Sequence, residues 1–169
     1  MKTDQLETPL QVNIMTKPKA FVSLMKLRLS SLVVLSAFFG FLMAKGDLNS
    51  LSMYSLLLGG LLITGSSNGF NQILEIKTDT LMSRTKSRPL PVQIISKIEA
   101  IIFCAIIGTL GLFLLYTINY KSMLLGLFSM IVYVLIYTPL KQKSAIAVFV
   151  GAIPGSIPPL LGYVAVSND

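Results

Sequence analysis

Ile98-Glu-Ala-Ile-Ile-Phe-Cys104-Ala-Ile-Ile-Gly-Thr-Leu-Gly-Leu-Phe-Leu-Leu-Tyr-Thr-Ile118 decides the fold. A helix needs about 20 predominantly apolar residues to cross the hydrocarbon core of a bilayer, and this run supplies them. Similar runs lie on both sides, separated by short polar breaks. They extend from Leu29 (with a start as early as Leu24) to Ala44, from Leu51 to about Leu74, from Met123 to Thr138 and from Ala145 to Val166. The runs are long and do not alternate, so they read as helices, and lipid accepts only helices or closed barrels. The expected fold is therefore an all-α membrane protein with about five transmembrane helices. Composition agrees: of 169 residues, 53% are hydrophobic and 12% charged, against about 25% charged in soluble domains.

The net charge of +7 would suggest nucleic acid in a soluble protein. Here its placement points to the bilayer instead, with no nucleic-acid partner. With the N-terminus in the cytoplasm, twelve of the fourteen Lys and Arg residues fall in cytoplasmic segments, and only Lys45 and Lys121 fall outside. That asymmetry predicts a multi-pass protein of the cell (inner) membrane with a cytoplasmic N-terminus. Residues 1–22 read as a cytoplasmic N-terminal segment and residues 23–169 as the membrane domain. The first run is not a cleavable signal, because a long polar segment precedes it and no small-residue cleavage pattern follows. The single cysteine, Cys104, rules out an internal disulfide, and the absence of histidine removes the commonest general base and metal ligand.

Charge returns in one place. Between Asn71 and Pro91 stand Glu75, Lys77, Asp79, Arg84, Lys86 and Arg88. Asn71, Glu75 and Asp79 recur every four residues, which on one helix forms a slowly drifting stripe with steps of about 6 Å. Neighbouring carboxylates repel unless a cation sits between them. Mg²⁺ takes oxygen ligands, commonly one or two carboxylates plus substrate phosphates. Arg84, Lys86 and Arg88 follow at once, and guanidinium groups grip phosphate oxygens. Acids for a metal and bases for an anion suit a diphosphate–Mg²⁺ complex. The plainer reading, a cytoplasmic stop signal, accounts for the bases. It accounts less well for Glu75, which falls at the helix end where an ionisable group is costly.

These residues resemble the UbiA superfamily of intramembrane prenyltransferases, whose first acidic motif reads Asn-x3-Asp-x3-Asp. The continuation Met82-Ser-Arg84-Thr85-Lys-Ser-Arg88-Pro89-Leu90 is similar to the protoheme IX farnesyltransferase subfamily. So are Leu24-Met-Lys26-Leu-Arg28-Leu before the first helix, and Tyr137-Thr138-Pro-Leu140-Lys141 followed by Gly151-Ala-Ile-Pro-Gly155-Ser-Ile-Pro158-Pro159-Leu-Leu-Gly162-Tyr163. The resemblance runs from about residue 21 to the C-terminus. It departs from the family at Glu75, where aspartate is usual, and at Leu27, where proline is usual and a straighter approach to the first helix is expected. It departs also in length, since the family has about nine helices and a second acidic motif. The chain is thus expected to be the first part of a nine-helix bundle, incomplete and inactive alone.

The resemblance implies transfer of the farnesyl group of farnesyl diphosphate to a vinyl group of heme b, giving heme O. Heme is then a substrate and not a resident cofactor, and Mg²⁺ is the implied metal. Asn71, Glu75 and Asp79 become catalytic candidates, with Glu75 and Asp79 as metal ligands. Arg84, Lys86, Arg88, Lys26, Arg28 and Lys141 become substrate-binding candidates, although Lys26 and Arg28 serve equally as lipid anchors. Later heme-modifying enzymes are implied partners. Two alternatives stand beside this: the same fold acting on an aromatic quinone precursor, and a non-catalytic polytopic protein. The glycines and serines between Gly59 and Gly69 are expected to pack helices. Tyr137 is expected in the interfacial aromatic belt, and Pro154, Pro158 and Pro159 are expected to distort the last helix.

Overall fold

The computed structural model describes residues 16–167. Lys2 and most of the predicted N-terminal segment lie outside the described residues. Eight α-helices follow in order: α1 Lys17–Leu24, α2 Leu27–Met43, α3 Leu51–Leu74, α4 Ile76–Leu81, α5 Lys97–Ile118, α6 Tyr120–Ile131, α7 Thr138–Leu140 and α8 Ala147–Ser167. A π-helical segment, Val132–Tyr137, joins α6 to α7 without a break. Among the described residues there is no strand. The boundaries have local causes. Ser50 accepts the Met53 amide at the start of α3. Ser96 and Glu99 form a reciprocal capping box on α5, and Asn119 accepts the Ser122 amide to separate α5 from α6. Each side-chain cap satisfies an amide that the first helical turn leaves unpaired.

The long helices close into a ring. Helix α2 packs on α3, α3 on α5, α5 on α6, α6 on α8, and α8 returns to α2. Two apolar clusters pin the ring. Ala37, Phe41, Leu56, Ile63, Leu115, Ile157, Leu161 and Ala165 fill the end away from the charged motif. Ala20, Leu24, Ile73, Leu90, Ile95, Ala100 and Cys104 fasten α1 and the loop after α4 to α3 and α5. Where helices touch most closely the residues are glycine. A Cβ on Gly162 would collide with the Ala37 carbonyl, and one on Gly40 with the Pro159 carbonyl. The backbones of α2 and α8 therefore meet directly, as lipid-embedded helices do when small residues face each other. The expected packing role holds for Gly59, which lies against Gly111, and for Gly69, which lies against Cys104.

Among the described residues, four helical segments are long and apolar enough to cross a membrane: Lys17–Met43, Lys97–Ile118, Tyr120–Leu140 and Ala147–Ser167. This is a multi-pass membrane protein. The sequence reading counted five spans. The fifth, α3, has 24 residues, about 36 Å of helix, which is length enough. It is less apolar because Ser66, Ser67, Asn68, Asn71 and Gln72 interrupt its second half, and the bundle buries all five. Residues 17–22 lie in α1, held by the buried Ala20. One expectation needs correction: the approach to the first long helix is not straight. Lys26 adopts φ 47°, ψ 55°, and breaks the chain between α1 and α2. Leu27 is the first residue of α2, a position where proline is favoured but not needed.

Candidate functional site

The ring borders a half-open cavity of about 470 Å³ between α2, α3, α5, α6, the π segment and α8, within the range of about 300–1,000 Å³ common for ligand sites. Its wall is mainly apolar: Val33, Val34, Ala37, Ile63, Leu115, Ile157 and Leu161. Pro154 and Pro158 line it as well, so the distorted stretch of α8 shapes the space. Polar groups gather towards the end bearing the charged motif, with Ser67 and Asn68 from α3 and Tyr133 and Tyr137 from the π segment. The two tyrosine rings stack, their centroids 5.4 Å apart. Tyr137 therefore faces the cavity and not the interfacial belt. The π turn is the reason, since an extra residue per turn re-aims the side chains that follow it.

One helical turn beyond the cavity on α3, Asn71 begins a charged cluster. It is 1% exposed. Its amide is oriented by its neighbours, as hydrogen-bond networks assign it: the nitrogen donates to Glu75 Oε2 at 3.0 Å, and the oxygen accepts from Lys141 Nζ and Thr138 Oγ1, each at 3.0 Å. Lys141 also pairs with Glu75 Oε1 at 2.9 Å and stands 5.4 Å from the Tyr137 ring centroid. Asn71, Glu75, Thr138, Lys141 and Tyr137 thus form one network joining α3 to the end of the sixth-helix run.

Asp79 belongs to a second network. It is 4% exposed, and Arg88 Nη1 donates to both its oxygens, at 2.9 and 2.7 Å. Thr85 Oγ1 donates to the Asp79 carbonyl at 3.0 Å, folding the loop back beneath the acid. The expected single stripe is therefore interrupted. Glu75, at φ −97° and ψ 5°, ends α3 and begins α4. The i to i+4 amide bonds survive across the break, from Glu75 to Asn71 at 3.1 Å and from Asp79 to Glu75 at 2.8 Å. The two acids stay on one end of the bundle, but each leans on its own base. Lys26 is within the electrostatic reach of both pairs, Arg88 with Asp79 and Lys141 with Glu75.

The predicted residues thus divide. Asn71, Glu75, Asp79, Arg88, Lys141 and Lys26 come together. Arg28, Arg84 and Lys86 are exposed, and among the described residues none of the ion pairs involves them. Asn68, Gln72 and Thr138 were not among the predicted site residues, whereas Tyr133 lines the cavity, one of the two places open to it from sequence, the other being the interfacial belt. Asn68 and Gln72 had a signal, an i, i+4 pair of amides in an apolar span where polar groups are costly. Two carboxylates and an amide give a hard oxygen donor set suited in kind to Mg²⁺ completed by substrate phosphates. Among the described residues no group of three or more His, Cys, Asp or Glu is placed to hold a metal unaided.

The chain is similar to known proteins over most of its length. The model of the UbiA prenyltransferase family matches residues 33–169. A protoheme IX farnesyltransferase of Christiangramia forsetii is 44% identical over 149 residues, covering 88% of this chain and 50% of that protein. One of Cytophaga hutchinsonii is 44% identical over 155 residues, covering 89% and 54%. A mitochondrial protoheme IX farnesyltransferase of Pyricularia oryzae is 36% identical over 160 residues, covering 88% and 29%. The chain spans about half the length of the bacterial relatives. No solved structure matches it.

Proposed function

This chain belongs to the UbiA prenyltransferase family, and from that premise we propose that it serves the transfer of a farnesyl group from farnesyl diphosphate to a vinyl group of heme b, giving heme O. The observation that carries the reading is the union of a charged cluster with an apolar cavity. Lys26, Glu75, Asp79, Arg88 and Lys141 gather one turn beyond a space of about 470 Å³. An allylic diphosphate has that same division, an anionic head on a hydrocarbon tail. The names of the relatives supply the acceptor.

In this reading the bond between the farnesyl C1 and its oxygen breaks, and the electron pair leaves with diphosphate. The vinyl carbon of heme b attacks the allylic cation. Water then captures the resulting heme cation and loses a proton, which leaves a hydroxyethylfarnesyl group. Arg88 and Lys141 meet the departing negative charge, and Lys26 adds a third cation. Preorganised charge of this kind is commonly the largest contribution to catalysis. Val33, Ile63 and Leu161 present an apolar wall to the allylic cation. Glu75 and Asp79, with Asn71 as an auxiliary ligand, would hold Mg²⁺. The metal would add positive charge at the diphosphate. Asp79 is paired with Arg88 and Glu75 with Lys141, so an arriving diphosphate would take these bases from the carboxylates.

The charge asymmetry supports the inner membrane, with the N-terminus and the charged cluster on the cytoplasmic side. The test is direct. Membranes expressing the gene's whole reading frame receive farnesyl diphosphate, heme b and Mg²⁺, and the porphyrins are analysed by mass. Heme O is expected. Its absence, with prenylation of an aromatic acid instead, overturns the acceptor assignment. No prenylation of any acceptor overturns the reading.

A further inference from the structure

The break at Lys26 has no cause in its own residues. A lysine at φ 47° sits in the left-handed region that favours glycine and is costly for other side chains. The break also strands two carbonyls, those of Leu24 and Met25, whose residues are 0% and 9% exposed. Helix α3 reaches across and satisfies them. Gln72 Nε2 donates to the Leu24 carbonyl at 2.9 Å. Asn68 Nδ2 donates to the Met25 carbonyl at 3.3 Å and to Ser30 Oγ at 3.1 Å. Ser30 Oγ donates to the Met25 carbonyl at 2.7 Å. Asn68 and Gln72 are 2% and 3% exposed, so water does not substitute for them. Two amides one turn apart on α3 thus hold open a break 43 and 48 residues earlier in the chain.

The consequence falls on Lys26. A continuous helix from Lys17 to Met43 would place residue 26 on the turn set by its phase. The left-handed residue instead lets α2 start afresh, with the Lys26 side chain within electrostatic reach of Arg88, Lys141, Glu75 and Asp79. We propose that Asn68 and Gln72 are positioning residues, which fix Lys26 in the left-handed conformation and thereby aim its ammonium at the diphosphate of the substrate. This rests on the functional reading above. It adds to that reading a source of order for a cation whose own conformation is unfavourable.

Replacement of Gln72 by Met keeps the volume and removes the donor. The test compares the wild-type protein, expressed from the gene's whole reading frame, with Gln72→Met, Lys26→Ala and the double variant, in detergent, with inorganic diphosphate and Mg²⁺ as the probe. Each single variant is expected to weaken diphosphate binding about tenfold, the loss of one charge-assisted hydrogen bond. The double variant is expected to bind no more weakly than Lys26→Ala, because a residue acting through Lys26 has nothing left to position. Backbone ¹³C shifts of Lys26, labelled selectively, give an independent readout and are expected to leave the left-handed range in Gln72→Met. Additive losses in the double variant, or Lys26 still left-handed in Gln72→Met, overturn the proposal. Wild type that binds no diphosphate counts against the functional reading, while the ¹³C shifts still decide whether Gln72 holds Lys26. If Gln72→Met fails to fold, Asn68→Ala serves. It leaves the Met25 carbonyl its bond from Ser30, and about a threefold loss is expected.

Discussion

Asp79→Asn separates a ligand from a structural ion pair. The substitution keeps the shape of the side chain and removes its charge. At about 2.8 Å and an effective dielectric constant near 20, the attraction between Asp79 and Arg88 is about 6 kcal/mol before desolvation is counted. Removing one partner of a fully buried pair costs about 3–5 kcal/mol, because the other charge is left behind. The Arg88 side chain is 23% exposed and Asp79 only 5%, so a released Arg88 turns partly to water and the expected loss falls to about 2 kcal/mol. For a chain of this size that lowers the midpoint of thermal unfolding by about 4–8 °C. Loss of a preorganised charge at a reacting centre costs far more in rate, about 10²–10³. In the protein expressed from the whole reading frame, heme O formation is therefore expected to fall at least a hundredfold while the protein still folds and inserts. Arg88→Met added to Asp79→Asn removes the orphaned cation and is expected to recover most of the stability, without recovering transfer. Near-normal transfer by Asp79→Asn, or its return in the double variant, would show that Asp79 serves only to seat Arg88.

Gly162→Ala is expected to cost about 1–3 kcal/mol, seen as a lower melting midpoint in detergent, because the new methyl meets the Ala37 carbonyl and backbone cannot step aside. Gly155→Ala, with nothing within 4 Å of its Cβ, is expected to leave the midpoint unchanged. Lys141→Met is expected to weaken binding of inorganic diphosphate about tenfold, by isothermal titration, through loss of one charge-assisted contact; unchanged affinity removes Lys141 from the site. The 169-residue chain alone, with two carboxylates each already paired, is expected to bind diphosphate weakly and to yield no heme O, and turnover at an enzymatic rate would contradict this. Reporter fusions after residues 45, 121 and 169 are expected to give periplasmic signals, and those after 88 and 141 cytoplasmic ones.

Hydropathy made the long helices legible. The run predicted from Ile98 to Ile118 is α5 at Lys97–Ile118, and the run from Leu51 to about Leu74 is α3. Burial in lipid leaves a one-dimensional signature that survives without tertiary information. The acids and bases of the site were legible by type, since charge is costly there unless it has work to do. Their partners were not. Nothing local says that Glu75 chooses Lys141, 66 residues on, or that Asp79 chooses Arg88. The same limit hid α1, which is short and only weakly apolar, and the break at Lys26, whose support comes from α3. The inward turn of Tyr137 was hidden because hydropathy does not report helical phase.

That phase has a consequence of its own. The π segment Val132–Tyr137 carries a surplus residue relative to an α-helix. Relaxing the run to ordinary α geometry with no residue removed would turn all that follows by about 100°, the angle of that one surplus residue. Thr138 would leave Asn71, and Lys141 would swing away from Glu75, with every charged group of the chain still present. The site is thus vulnerable to a change of winding among residues that carry no charge, one that adds no residue and removes none yet unscrews its active end.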